Sequence, residues 1–190
     1  MQKKIGVIVG STRPRRICKD VAQWILAVAR DASPLNYELI DLADVSLPFL
    51  DEPLMAALGR YQHEHTKRWS ELVLSYDGFV FVMPQYNWGY TAVLKNALDF
   101  LYAEWHDKAA SIVTYGSHGG AKGADQLKAV LQALGMRRTA TNPMLDTAPD
   151  TLDGGRVVDG AAFAPFVPAV RAMNAELVEL VNTHEPRSQV

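Results

Sequence analysis

Cysteine is almost missing from this chain: among 190 residues, Cys18 stands alone. That excludes an intramolecular disulfide framework and any multi-cysteine zinc site. An excess of one charge is missing too. Nineteen Lys and Arg face 21 Asp and Glu, for a net charge of −2. The balance argues against a general nucleic-acid or membrane-surface binder. No apolar run is long enough to cross a bilayer. Nor do the first residues make a secretory leader. Lys3 and Lys4 precede an apolar run that stops at Gly10 and Ser11, and Arg13, Arg15 and Arg16 follow within a few residues. Repeats and low-complexity segments are lacking as well. A reducing, cytoplasmic setting is the expectation. What is present is ordinary globular composition, 48% hydrophobic and 21% charged, in a chain long enough to bury a core without staples. One domain over residues 1–184 is expected, with a frayed tail over 185–190.

Strand and helix patterns alternate along the chain. Ile5 to Val9 is a short apolar run closed by Gly10. Ile17, Val21, Trp24, Ile25 and Val28 then recur at helical spacing. Tyr37 to Leu42 reads as a second strand, and Trp69, Leu72, Val73 and Tyr76 as a second helix. Phe79 to Met83 is uniformly apolar and closed by Pro84. Val93 to Leu101 and Leu127 to Leu134 are helical, Ser111 to Tyr115 is a strand, and Arg138 to Leu145 is a weak fifth one. Val167 to Leu180 predicts a last helix, its start blurred by Pro165 and Pro168. Strands that read as continuous apolar runs are buried on both faces of a parallel sheet. The pattern predicts a doubly wound α/β fold with five parallel strands and helices on both faces. Ligands of such folds sit beyond the carboxyl ends of the strands. Two long connections break the rhythm, Leu47 to Pro53 and Asp146 to Gly160, and long loops in compact domains are often functional or interfacial.

Three loops carry chemistry. Gly10-Ser11-Thr12-Arg13-Pro14-Arg15-Arg16-Ile17-Cys18-Lys19 packs cations where a helix begins, although the positive end of the helix dipole favours acids there. A bound dianion removes the conflict, with Ser11, Thr12, guanidiniums and backbone N–H groups converging on a phosphate. The loop is neither a Walker loop nor a dinucleotide fingerprint. Pro84-Gln85-Tyr86-Asn87-Trp88-Gly89-Tyr90 joins aromatics to side-chain amides, which suits a flat heteroaromatic ring. Tyr115-Gly116-Ser117-His118-Gly119-Gly120 exposes backbone amides able to meet an anion or a carbonyl edge. Other groups carry less. His63, Glu64 and His65 lack zinc-protease spacing and read as solvated helix. Lys95 and Asp99 make a surface or packing pair. Cys18, though near cations, reads as structural.

Together these loops resemble the NAD(P)H-dependent FMN reductase family, a flavodoxin-like group that includes quinone and azo-dye reductases. The matching stretches are GSTRPRR at 10–16, LPFLDEP at 47–53, PQYNWGYTAVLKNALDF at 84–100 and YGSHGG at 115–120. The resemblance implies a sheet in the order 2-1-3-4-5. It implies that Ser11 and Arg13 bind the FMN phosphate and that Arg16, Ile17 and Cys18 close the cradle. Pro84, Gln85, Tyr86, Asn87 and Gly89 would flank the ribityl chain and ring, and Ser117, His118 and Gly119 would border its other edge. The resemblance implies that hydride would pass from NADPH or NADH to FMN and on to a small acceptor such as a quinone, an azo compound or free flavin, in a ping-pong cycle. No catalytic residue is assigned firmly; Tyr86, His118 or water would deliver a proton. Trp88, bulkier than the family's usual residue, belongs to the substrate pocket. Members are commonly homodimers or homotetramers, and Leu47 to Pro53 is the segment expected to reach a neighbour. No nucleic-acid partner, membrane span or metal is expected. Two other readings stay open: a flavodoxin-type electron carrier, and a flavin-free regulatory protein on the same scaffold.

Overall fold

Strands β1 (Lys4–Val9) and β3 (Gly78–Pro84) lie side by side at the centre of a parallel sheet. The computed structural model describes residues 2–31, 33–116, 118–147, 152–153, 156–157 and 160–183. The strand order is β2-β1-β3-β4-β5, with β2 at Asn36–Asp41, β4 at Ala109–Gly116 and β5 at Arg137–Arg138. This is the flavodoxin-like order expected from the resemblance. Within the uninterrupted apolar run of β3, successive side chains point to opposite faces. Val80 and Val82 meet α1 (Cys18–Arg30) and α6 (Val167–Asn182) on one face. Phe79, Phe81 and Met83 meet α3 (Glu64–Leu74), α4 (Ala92–Asp99) and α5 (Ala121–Ala133) on the other. The second face is aromatic: Trp105 packs edge-on against Phe79 at 5.2 Å between ring centroids. Each such fully buried large side chain stabilises the fold by roughly 1.5–3 kcal/mol. A short helix, α2 (Leu42–Val45), follows β2 directly.

Three details differ from the sequence expectation. The fifth strand is not continuous over Arg138 to Leu145. Two short pieces, β5 and β6 (Met144–Asp146), both pair with β4. The N–H groups of Ala140 and Thr141 turn away to the Glu176 carboxylate on α6, at 2.6 and 3.0 Å, and Pro143 has no N–H to give the ladder. Tyr76 lies past the end of α3, its hydroxyl donating to Glu38 at 2.9 Å. His63 and His65 are not a solvated face. Their rings stack at 5.2 Å, and His65 Nε2 lies 2.9 Å from Asp51 Oδ1, so they clamp the loop before α3. The connection from Asp146 to Gly160 carries a short antiparallel pair, β7 (Leu152–Asp153) and β8 (Arg156–Val157). The expected tail, 185–190, and Ser117 lie outside the described residues. Among the described residues, no helix is long and apolar enough to cross a membrane.

Candidate functional site

The loop after β1 is fastened to β3 before it turns. Gly10 N–H donates to Val82 O at 2.8 Å, and a Cβ on Gly10 would stand 2.8 Å from that carbonyl oxygen. Only glycine permits this approach. Thr91, which caps α4, donates its hydroxyl to Gly10 O and so ties the first loop to the second. Ser11 is buried, with its Oγ 3.1 Å from the Tyr86 hydroxyl. The helix α1 starts only at Cys18, so Arg13, Arg15 and Arg16 belong to the loop rather than to the helical turn. Arg16 Nη2 donates to Asp41 Oδ2 at 2.5 Å, and Lys19 Nζ lies 3.4 Å from the same oxygen. Part of the local positive charge is therefore balanced by one buried carboxylate. Arg16 Nε is buried and has no hydrogen-bond partner.

Asp41 was not among the residues singled out from the sequence. A signal for it existed: it ends β2, in register with Val9 at the end of β1. An acid there lies beside the first loop as soon as the strand order is known.

The second loop is a two-residue hairpin turn. Tyr86 and Gly89 exchange both backbone hydrogen bonds, at 3.0 and 2.8 Å, and Asn87 and Trp88 take positive φ of 47° and 67°. Asn suits such a turn, while its second position favours glycine over an aromatic residue. The turn is pinned to α5: Gly123 N–H donates to Gln85 Oε1 at 3.0 Å, and Gln126 Nε2 donates to Trp88 O at 3.0 Å. The Arg13 guanidinium lies 5.7 Å from the centre of the Tyr86 ring.

In the third loop, Thr114 donates its hydroxyl to Gly119 O at 2.6 Å, and Gly119 and Gly120 take the positive φ that lets the chain enter α5. His118 is exposed. Tyr115 is buried, and burial pushes its phenol far above the usual range.

Loops one, two and three converge on one cavity of about 210 Å³. Of the expected site residues it is lined by Arg13, Arg16, Ile17, Pro84, Gln85 and Tyr86. Arg15, Tyr115, Gly116 and Thr147 complete it and were not among the residues expected to bind. Cys18 and Ser11 lie buried outside the lining, and Cys18 donates its thiol to Val82 O at 3.3 Å. Asn87, Trp88, Gly89, His118 and Gly119 stand outside the lining too. A larger cavity, about 420 Å³, lies beside the edge strand β2 and is lined by Leu39, Asp44, Arg68, Trp69 and Leu72 among others. Size favours it, but Asp41 is its one tie to the first loop and neither of the other loops reaches it.

A parallel sheet in this order, with an arginine-walled cavity at the carboxyl ends of its central strands, defines a flavodoxin-like class of mononucleotide-binding proteins. The comparisons narrow the class. The family model described as NADPH-dependent FMN reductase matches residues 3–150. The NAD(P)H-dependent FMN reductase C4B3.06c of Schizosaccharomyces pombe is 41% identical over 186 residues, covering 97% of this chain and 93% of that protein. The NAD(P)H-dependent FMN reductase LOT6 of Saccharomyces cerevisiae is 42% identical over 144 residues, covering 70% of this chain and 75% of its own. Among solved structures, the flavoenzyme NAD(P)H:(acceptor) oxidoreductase FerB of Paracoccus denitrificans superposes with a TM-score of 0.72 at 21% identity, covering 93% of this chain and 98% of its own. That likeness bears on the fold. The chain belongs to the NADPH-dependent FMN reductase family. It is accordingly an oxidoreductase, with FMN as cofactor and NAD(P)H as reductant.

Proposed function

We propose that the three loops hold FMN with its phosphate against Arg13, Arg15 and Arg16, and that NAD(P)H and a small acceptor use the open face of its ring in turn, in a ping-pong cycle. The acceptor is a small molecule such as a quinone, an azo compound or free flavin. The observation that carries this reading is the convergence of the three loops on one cavity lined by Arg13, Arg15, Arg16 and Tyr86. One feature fits the phosphate. Arg16 Nε is a buried donor without an acceptor, and charge-assisted bonds from guanidinium to phosphate are among the stronger ones available. The cavity of about 210 Å³ is smaller than the usual ligand pocket of roughly 300–1,000 Å³. A cavity of this size would hold one end of a flavin nucleotide, and the ring would extend beyond it.

When bound, FMN supplies the hydride chemistry. The chain's residues bind and orient. Ser11 and Arg13 would hold the phosphate, and Arg16, Ile17 and Cys18, where the loop runs into α1, would close the cradle, partly by backbone N–H groups. Pro84, Gln85, Asn87 and Gly89 would flank the ribityl chain and ring, and His118 and Gly119 would border the far edge. The Tyr86 hydroxyl, being beside Ser11, belongs to the phosphate end. That leaves His118 or water to deliver a proton. Residues 1–184 act as one FMN-binding unit, in the cytoplasm, as a homodimer or homotetramer.

The test is an anaerobic absorbance spectrum of FMN-loaded protein before and after a slight excess of NADPH. Rapid bleaching, with colour restored by a quinone, is expected, and parallel double-reciprocal plots are expected in steady state. A bound flavin that neither NADPH nor NADH bleaches makes the protein an electron carrier instead. No bound flavin overturns the reading of the three loops. Arg13→Ala is expected to weaken FMN binding about tenfold to a hundredfold, the range of a lost charge-assisted hydrogen bond, with little change in melting temperature. Equal FMN affinity in the variant removes Arg13 from the phosphate.

A further inference from the structure

We propose that Trp88 and Lys122 form a docking step that selects planar aromatic acceptors bearing a negative charge, such as hydroxyquinone anions. This rests on the flavin reading of the neighbouring cavity. The Lys122 ammonium lies 5.5 Å from the centre of the Trp88 ring. That indole is 68% exposed, so it contributes little to the core.

Its backbone is unfavourable for an aromatic residue, at φ 67°. A residue held at such an angle without burying its side chain points to a role outside folding. The strain is held by α5, through Gln126 Nε2 to Trp88 O at 3.0 Å and Gly123 N–H to Gln85 Oε1 at 3.0 Å. The contact is close: a Cβ on Gly123 would stand 3.1 Å from Gly89 O. Lys122 is likewise no aid to its helix, because a cation in the first turn opposes the helix dipole. The result is an exposed indole whose backbone is held by α5, with the Lys122 ammonium over its ring, two residues along the turn from Tyr86 in the cavity lining. A flat acceptor ring that stacks on this face moves the flexible ammonium to the ring edge, where it meets an oxyanion on the acceptor. Uncharged rings gain only the stacking.

The test compares kcat/KM of the FMN-loaded enzyme for 2-hydroxy-1,4-naphthoquinone, an anion at neutral pH, with that for 1,4-naphthoquinone, the same ring without the charge. Lys122→Gln is expected to lower the charged-to-uncharged ratio about threefold to tenfold, the size of a partly exposed charge contact, and Lys122→Arg to restore it. Equilibrium dialysis of the hydroxyquinone against the holoprotein is expected to show the same loss of affinity without turnover. An unchanged ratio and affinity overturn the proposal. So does a fall confined to the NADPH-to-NADH ratio, which moves Lys122 to a nucleotide phosphate, or a change of oligomeric mass, which moves the pair to a subunit contact. Hydroxyquinone binding that depends on Lys122, without NAD(P)H oxidation by either quinone, sinks the reductase reading and leaves the docking step standing.

Discussion

Trp88 occupies the second position of a turn that glycine enters without strain, and Cys18 sits where a thiol is almost unable to ionise. Both have direct consequences. Trp88→Gly is expected to raise stability by about 0.5–1 kcal/mol through relief of the positive φ, measured as the urea midpoint, while aromatic acceptors bind less well. A fall in stability instead shows that the indole contributes to folding. Burial pushes the Cys18 thiol up to about 11, against the opposing pull of the Tyr115 hydroxyl, the Gly10 backbone and Arg16. Native protein is therefore expected to resist an aromatic disulfide reagent at mildly alkaline pH and to release one equivalent on unfolding. Labelling of native protein at the rate of a free thiol defeats that expectation. The structural reading of Cys18 was open to sequence reasoning, since apolar residues flank it at helical spacing. The partner of Arg16 was not, because Asp41 is 25 positions away.

At the scale of elements, the instructive piece is the split fifth strand. Burial alone would raise the Glu176 carboxyl, but hydrogen bonds from the Thr141 hydroxyl and from the N–H groups of Thr141 and Ala140 outweigh it and hold the group below its ordinary value. The folded chain thus binds fewer protons here than the unfolded chain as the group titrates. Its stabilisation is complete above the unfolded value and is lost as pH falls through the folded one. Glu176→Gln is expected to lower the urea midpoint at neutral pH, with the gap closing below about pH 4, the ordinary range of a glutamate. A gap of constant size down to acid shows that the amide replaces the carboxylate fully. Sequence pattern revealed a weak strand in this place. It did not reveal the break, because the acceptor that draws two N–H groups out of the ladder belongs to the last helix.

At the scale of the whole molecule, the segment from Leu47 to Leu58 presents apolar side chains outward, with Phe49 86% and Met55 72% exposed. Yet its backbone is well fastened. Leu50 N–H donates to Asn96 Oδ1 at 2.9 Å, Asn96 Nδ2 donates to Pro48 O at 2.7 Å, and Glu52 accepts from the N–H groups of Gln62 and His63 at 2.9 and 3.0 Å. A fixed apolar surface of this kind suits a second copy of the chain. Sedimentation equilibrium is expected to return a multiple of the 21.0 kDa chain mass, and Phe49→Asp to shift it toward the single chain. A wild-type protein that sediments as a single chain at micromolar concentration removes the assembly. The fold class, the two-faced burial of β3 and the position of three chemical loops at the carboxyl ends of strands were all open to sequence reasoning, because hydrophobic period and turn chemistry are local properties. The membership of the cavity was not. Arg15 and Thr147 line one cavity although 132 positions separate them, and Tyr86 turns its hydroxyl toward Ser11 across 75. Such pairings depend on which strand ends become neighbours and on which buried donors and acceptors must find each other once water is excluded. That is settled only when the chain packs.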